Sequence, residues 1–244
     1  MEKVLVRHRL DLIVILIDTT TGRNVSERKV CFKENGRIVP FLYKGGGVYI
    51  LVDSGHTNTE YAIQVAGYED TRISVEYGES EKKVQTREVS LIPKETADPS
   101  SRVMTMKGHL DGLEQIEAIR LSMFDRTMKD FDRKRNIINF YGGTKMTEKE
   151  YGIYHKETMS FEVVQVRKAI DETSVLIKEP LSMPYAVKDP IVRIVKGRVL
   201  PDQDYFLRVR DDGQNCEYLI RYQVNGNTYF KRVDFRNEEE RSLN

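Results

Sequence analysis

Short runs of β-branched and aromatic residues recur through the first part of the chain, and turn-forming segments separate them. The first run ends at Asp18-Thr-Thr-Thr-Gly22, and Asn35-Gly36 marks a later reversal. Asn-Gly and Gly-rich turns supply the positive φ angles that tight reversals need. The pattern predicts about seven short strands, as is typical of a β-sandwich. These predicted strands are Leu12–Ile17, Val30–Phe32, Ile38–Leu42, Val48–Val52, Tyr61–Val65, Thr71–Val75 and Val84–Ile92.

A polar segment without apolar periodicity follows the last of these strands. It contains Pro93 and Pro99 among small and charged residues. Such a composition is typical of a linker between domains. We therefore predict a first module over residues 1–93, a linker over residues 94–101 and a second module over residues 102–244.

The second module also shows mainly strand patterns. Asp212-Gly213 and Asn225-Gly226 mark its last two hairpins. One stretch, Leu121–Arg135, is a candidate for a short helix, because its Met and Phe residues recur loosely at helical spacing. The predicted fold class is mainly β, with two β-sandwich-like modules in tandem and a candidate short helix in the second.

The charge balance argues against a function that depends on a strong electric field. The chain has 39 Lys and Arg against 38 Asp and Glu, a net charge of +1. Nonspecific nucleic-acid binding and binding to anionic membranes both require a clear basic excess. The apolar run Leu12–Ile17 is too short for a membrane span or a signal-peptide core. We expect a cytoplasmic protein, including one built into a particle released later, without nucleic-acid or membrane partners. Cys31 and Cys216 are expected to be buried free thiols.

The sequence contains no recognisable catalytic, cofactor or metal motif. None of its four histidines stands at a metal-ligand spacing from Cys, Asp or another His. We therefore predict no enzymatic activity, no cofactor, no metal and no small-molecule ligand. Two alternatives stay open: an enzyme whose residues meet only in the fold, and a Ca²⁺ site on two loops. Its carboxylates would be those of Asp202, Asp204, Asp211 and Asp212, although Asp also stabilises turns by itself.

Four turn motifs occur in a fixed order in the first module. They are Asp18-Thr-Thr-Thr-Gly22, Gly47-Val-Tyr49, Gly67-Tyr68 and Leu91-Ile-Pro93. In this order they resemble the transthyretin-like, or carboxypeptidase regulatory-like, β-sandwich modules, over about a third of the chain. The second strand departs from that family, since Asn35-Gly36 only loosely replaces its apolar-Gly pair. The resemblance implies a spacer or binding module and brings no catalytic residues.

The densest mixture of basic and aromatic residues lies between Phe124 and Tyr141. Arg and aromatic residues dominate the hot spots of protein interfaces. Interleaved aspartates cancel much of the field that single-stranded nucleic acid would need. The candidates for contact with a partner are Phe124, Arg126, Lys129, Phe131, Arg133, Arg135 and Tyr141.

Together these patterns favour a non-enzymatic structural or adaptor protein within a larger assembly. Sandwich modules serve this purpose in phage tails and related particles, which is an argument by analogy of fold. We expect self-association or a protein partner, with exposed sheet edges as the contact. The 13 tyrosines, without any tryptophan, leave carbohydrate or cell-surface binding as the alternative.

Overall fold

The computed structural model describes residues 8–26, 29–55, 58–77, 84–94, 103–122, 124, 126–143, 146–147, 149–211, 213 and 215–243. By its contacts the chain divides into two compact units. Unit 1 comprises Met1–Asp18 and Gly22–Ala97, and unit 2 comprises Thr19–Thr21 and Asp98–Asn244. The predicted linker, residues 94–101, lies outside the described residues except for Lys94.

Among the residues that the structure describes, the regular structure consists of twenty strands and one short 3₁₀ turn at Glu238–Glu240. The predicted mainly β class is therefore confirmed. Among the described residues, no helix is long and apolar enough to cross a membrane.

Unit 1 is built from eight short strands. They are β1 (Leu10–Asp18), β2 (Val30–Glu34), β3 (Arg37–Val39), β4 (Leu42–Gly45), β5 (Val48–Val52), β6 (Thr59–Val65), β7 (Thr71–Val75) and β8 (Gln85–Leu91). One sheet has the order β4-β5-β1-β8 and the other the order β3-β2-β6-β7. The pairing of β1 with β8 is parallel, and the remaining pairs are antiparallel.

Alternate residues of these strands meet between the two sheets. Leu12, Val14 and Leu16 of β1 are fully buried, as are Ile63 of β6 and Val75 of β7. They belong to one hydrophobic cluster to which both sheets contribute. The period of two follows from the pleat of a strand, which points successive side chains to opposite faces. Full burial of each such side chain contributes about 1.5–3 kcal/mol, so this cluster holds the two sheets together.

Unit 2 contains the remaining twelve strands. They are β9 (Val103–His109), β10 (Leu113–Arg120), β11 (Arg126–Asp132), β12 (Ile137–Tyr141), β13 (Glu150–His155), β14 (Ser160–Ala169), β15 (Ser174–Ile177), β16 (Pro190–Lys196), β17 (Arg198–Val199), β18 (Asp204–Arg210), β19 (Glu217–Val224) and β20 (Asn227–Asp234). Six of them follow the order β11-β12-β15-β14-β13-β16, and β16 pairs back to β11, which closes a ring. The same sheet continues from β16 through β10 and β19 to β20, and β17-β18-β9 form a separate sheet.

Two large hydrophobic clusters and one smaller one fill unit 2. All six strands of the ring contribute to the first, for example Met128, Phe140 and Ile153, so it occupies the interior of the ring. The second lies between the β10-β19-β20 part of the large sheet and the β17-β18-β9 sheet. The third includes Ile119 and Phe161 on the opposite face of the large sheet. Unit 2 therefore combines two-layer packing with a closed ring that the sequence did not predict.

The candidate helix at Leu121–Arg135 does not form, because β11 and the turn after it occupy most of this stretch. The register of β11 against β12 shifts between Met128 and Asp130, which leaves Lys129 as the extra residue of a β-bulge. The bulge turns both Met128 and Phe131 into the same cluster although three positions separate them. A bulged strand thus reproduced the spacing that suggested a helix.

Candidate interaction surfaces

Two of the predicted contact residues are buried. Arg126 is only 3% exposed and Phe131 only 6%. The Arg126 guanidinium lies over the ring of Tyr151, 5.8 Å from its centroid. The Phe131 ring meets the Tyr185 ring edge-on, with 5.9 Å between centroids. Both occupy inward positions of β11, so their assignment to a partner surface was wrong: they belong to the core of unit 2.

Phe124 and Tyr141 do lie at the surface, each beside a lysine. Their exposed fractions are 37% and 49%. The Lys156 ammonium lies 5.9 Å from the Phe124 centroid, and the Lys129 ammonium lies 5.9 Å from that of Tyr141. A cation–π pair at an exposed site contributes about 0.5–1 kcal/mol. These pairs keep the two rings in defined positions.

Arg133 and Arg135 lie in the turn between β11 and β12, where the Asp132 carboxylate accepts a hydrogen bond from the Arg135 N–H. Tyr141 pairs with Thr127 at the opposite end of the same hairpin. Five positions separate Thr127 from Asp132 (132 − 127), or about 17 Å along a strand. The exposed candidates therefore occupy two small patches rather than one surface.

A second exposed region, in unit 1, was missed by the sequence reasoning. Ile38 of β3 is 73% exposed, and Leu42 and Tyr43 of β4 are 48% and 49% exposed. Among the described residues, β3 pairs only with β2, and β4 only with β5, so each has one unpaired side. We call Ile38, Leu42 and Tyr43, with the adjacent Arg37 and Lys44, the edge patch.

Phe41 holds the edge patch against the core. Its ring stacks on Phe32 with 3.9 Å between centroids and meets the Tyr61 ring edge-on at 5.5 Å. Only Pro40 and Phe41 separate β3 from β4, so the two edges lie within about 11 Å of each other along the chain. This corner places an edge of each sheet on the same side of the sandwich.

The ring of Tyr43 is also held in place. Its hydroxyl donates a hydrogen bond of 2.7 Å to the Ser26 carbonyl. The Tyr43 ring lies 5.0 Å from the Tyr49 ring. The pKa of Tyr49 is raised mainly by burial and to a smaller extent by the charge of Tyr43. The exposed apolar groups are thus presented on an ordered surface, which lowers the entropy cost of binding a partner.

The residues of the edge patch carry only positive charge, and one of them, Arg37, has Glu34 of β2 as its cross-strand partner. Between Gly36 and Val52 the sequence has two basic residues, Arg37 and Lys44, and no acidic residue. Both are exposed, and neither makes an ion pair with another described residue. The patch is therefore an apolar centre with a cation on each strand.

One sequence signal could have revealed this region. Pro40 lies inside the predicted strand Ile38–Leu42. Because proline cannot donate to a ladder, it is confined to edge strands and bulges. The structure divides the predicted strand at Pro40 into β3 and β4, both at sheet edges.

The aspartates considered for Ca²⁺ do not converge. Asp202 and Asp211 each accept a hydrogen bond from a backbone N–H two residues later in their own turns. Asp204 and Asp211 lie at opposite ends of β18, about 23 Å apart along the strand. Ca²⁺ ligands must lie within about 2.6 Å of the ion, so these carboxylates cannot share one; Asp212 lies outside the described residues. The described part of the chain contains no group of three or more His, Cys, Asp or Glu suited to a metal.

Three of the described histidines pair with carboxylates that the sequence did not indicate. The exposed His8 hydrogen-bonds Asp53 at 2.7 Å. The exposed His109 hydrogen-bonds Asp204 at 2.9 Å and Asp111 at 3.1 Å, and these bonds raise its pKa, that to Asp204 most. His155 and Asp189 form a buried pair at 3.1 Å. Both nitrogens of His109 are occupied, so the pairing suits a structural role.

One ion pair is buried in the large sheet of unit 2. Glu117 of β10 is 1% exposed and accepts a 3.0 Å hydrogen bond from Arg221 of β19, while its other oxygen is buried without a hydrogen-bond partner. On the opposite strand, Lys196 is the register partner of Glu117 and pairs with Glu150. Charges of alternating sign thus cross four neighbouring strands, an arrangement that stabilises one register.

Comparison with known proteins gives no family for this chain. No protein-family model matches it, and no curated protein does. Alignments to solved structures cover 93% of the chain at very low similarity. The major pilin subunit BcpA of Bacillus cereus aligns at TM-score 0.27 and 9% identity over 67% of that chain. The Bacillus anthracis TIE protein aligns at TM-score 0.25 and 8% identity over 48% of that chain. Scores this low carry no argument about function.

Proposed function

We propose that this protein is a non-enzymatic structural or adaptor protein that contacts another protein through the edge patch. The observation that carries the proposal is the exposure of Ile38, Leu42 and Tyr43 on two adjacent edge strands. Natural proteins usually cover, shorten or charge the edges of their sheets. Exposed apolar groups that are gathered at one edge of a domain can mark an interaction site.

The edge strand β20 of unit 2 can be compared with the edge strands β3 and β4. Strand β20 pairs only with β19 among the described residues. It carries Lys231 and Arg232 next to each other, and the Lys231 ammonium donates to the Ser242 carbonyl of the C-terminal segment. Charge and cover lie on this edge beside one exposed ring, that of Tyr229. The strands β3 and β4 also carry one cation each, but they expose three large apolar side chains.

The edge patch is large enough to matter energetically. Complete burial of a fully exposed side chain of this size contributes about 1.5–3 kcal/mol. Ile38, at 73% exposed, can gain most of this amount, and Leu42, at 48%, about half. Micromolar affinity corresponds to about 8 kcal/mol. Two or three such side chains, together with backbone hydrogen bonds along β4, can supply much of that free energy.

The wider context that we propose is an assembly built in the cytoplasm, such as a phage-tail-like particle. Its support is the resemblance of Leu10–Pro93 to modules used as spacers, together with the analogy of fold. Co-sedimentation of the protein with particles from a lysate of its source organism would test this context.

The central test compares the full chain with Leu42→Asp and Ile170→Asp. Ile170 is 49% exposed outside the edge patch and serves as the matched control. Sedimentation velocity over a wide concentration range measures self-association, and quantitative affinity capture measures partners. We expect Leu42→Asp to lose the association and Ile170→Asp to keep it. A strict monomer without any protein partner, or equal loss in both variants, would contradict the proposal.

A further inference from the structure

We infer that the edge patch receives an extended, acidic segment of a different protein, which adds as a strand to β4. This inference rests on the proposed function and names the chemistry of the partner. Three features carry it: a side of β4 that no other described strand pairs with, exposed apolar groups and an excess of positive charge.

The unpaired side of β4 supplies the main-chain contacts. β4 pairs with β5 through Leu42, Tyr43 and Gly45, and its register shifts between the last two. An extended peptide can add to the other side by backbone hydrogen bonding, as in other cases of strand addition. The short strand and its irregular end limit the added segment to a few residues.

The exposed side chains define the centre of the partner segment. Leu42 and Tyr43 follow each other on β4, so they point to opposite faces of the sheet. A partner strand with β-branched residues at alternate positions would cover Leu42 on its face. Such residues also have the highest preference for strands.

The charge disfavours a second copy in the same role. If two identical edge patches met, two surfaces with the same excess of positive charge would be brought together. Like charges placed opposite each other destabilise a strand pair. Glu34 lies opposite Arg37 on β2, and no acidic residue lies between Gly36 and Val52. A carboxylate of the partner segment would therefore complement Lys44 in particular.

The probe is a synthetic peptide, Asp-Glu-Val-Thr-Val-Thr-Val-Glu-Asp, labelled with a fluorophore and capped at both ends. Its first control has Lys in place of every acidic residue, and its second has Pro in place of the central Val. Fluorescence anisotropy with the full chain measures binding. We expect the acidic peptide to bind roughly tenfold more tightly than the basic one, since two exposed charge pairs change sign. The Pro peptide should lose binding, because it cannot donate along the ladder.

A charge-reversal variant makes the test specific to the edge patch. Arg37→Glu with Lys44→Glu should reverse the preference, so that the basic peptide binds more tightly than the acidic one. Both positions are exposed, and the variant is expected to fold. Raising the salt from about 0.1 M to about 1 M shortens the screening length from about 10 Å to about 3 Å, and should weaken acidic-peptide binding several-fold.

The outcomes separate this inference from the proposed function. If neither peptide binds but Leu42→Asp still abolishes association of the full chain, the acidic-strand inference fails and the proposed function stands. An unchanged charge preference in the reversed variant also overturns the inference. Equal binding of a single-stranded oligonucleotide would assign the cations to nucleic acid instead. If Leu42→Asp changes nothing in any assay, both conclusions fail.

Discussion

Replacement of Arg221 in the large sheet of unit 2 should measure how much this residue stabilises the buried Glu117 carboxylate. The pair is 3.0 Å long, and the Glu117 side chain is 2% exposed against 18% for Arg221. Arg221→Leu therefore leaves a charge buried without its main partner. Breaking a buried ion pair on one side costs about 3–5 kcal/mol. We expect about 3 kcal/mol, the low end of that range, because Lys196 stands on the other side of Glu117.

The double variant should behave quite differently. Replacing both Glu117 and Arg221 by Leu removes the carboxylate together with its partner. Replacement of a buried ion pair by apolar residues is often neutral or stabilising by about 1–4 kcal/mol. The single change should thus be far more harmful than the double change, and that order is the core of the prediction.

Urea unfolding followed by circular dichroism measures these free energies. In a thermal scan, a loss of about 3 kcal/mol would lower the midpoint of unit 2 by about 6–12 °C for a unit of this size. The control is Arg72→Leu in unit 1, where the pair with Glu60 is 73% and 54% exposed. Such an exposed pair contributes less than about 1 kcal/mol. A loss for Arg221→Leu no larger than that for Arg72→Leu would contradict the prediction, as would a double variant less stable than Arg221→Leu alone.

Three further predictions concern packing, reactivity and pH. Gly152→Ala places a Cβ 2.8 Å from Cγ2 of Ile119, so urea unfolding should show a loss of about 1–3 kcal/mol. Under native conditions a thiol reagent should label the half-buried Cys31 well before the buried Cys216, whose pKa is raised by burial and then by the Asp211 carboxylate. His109 should titrate above the ordinary histidine pKa in an NMR series, because its two carboxylate hydrogen bonds raise that pKa. Its stabilising contribution should be complete below the unfolded-state pKa and disappear as the pH rises through the folded-state value.

The pattern of apolar residues along the sequence located many strands correctly, because the alternation of apolar and polar residues in a strand follows from the pleat of that strand alone. The predicted strands Val48–Val52 and Thr71–Val75 coincide with β5 and β7. In each of these strands, the apolar residues at alternate positions are the ones that the sequence predicts to be buried. The transthyretin-like resemblance of the first module stays a prediction.

Strand partners were beyond the reach of that reasoning. A strand that buries one face shows the same alternation whichever neighbour it pairs with. The parallel pairing of β1 with β8, and the return of β16 to β11, therefore left no local mark. The bulge at Lys129 was hidden for a related reason, since one extra residue changes the spacing of Met128 and Phe131 without changing their chemistry.

The sequence could predict that a protein-contact surface exists, but it could not predict which residues form that surface. Basic and aromatic composition drew attention to Phe124–Tyr141, although a dense cluster in sequence gives no information about which side chains face inward. Arg126 and Phe131 fill the core there. The edge patch has a weaker composition signal, and its importance depends on the edge position of β3 and β4, which is a property of the folded sheet.

The edge patch also contains residues that the fold itself does not require. Val39 and Phe41 pack against the core of unit 1, so the intervening and flanking positions point outward. In a sheet with one solvated face, outward positions are ordinarily polar. Ile38 and Leu42 occupy two of these outward positions and are 73% and 48% exposed. The described core of unit 1 does not include these two side chains, so their apolar character agrees with the contact that we propose for the edge patch.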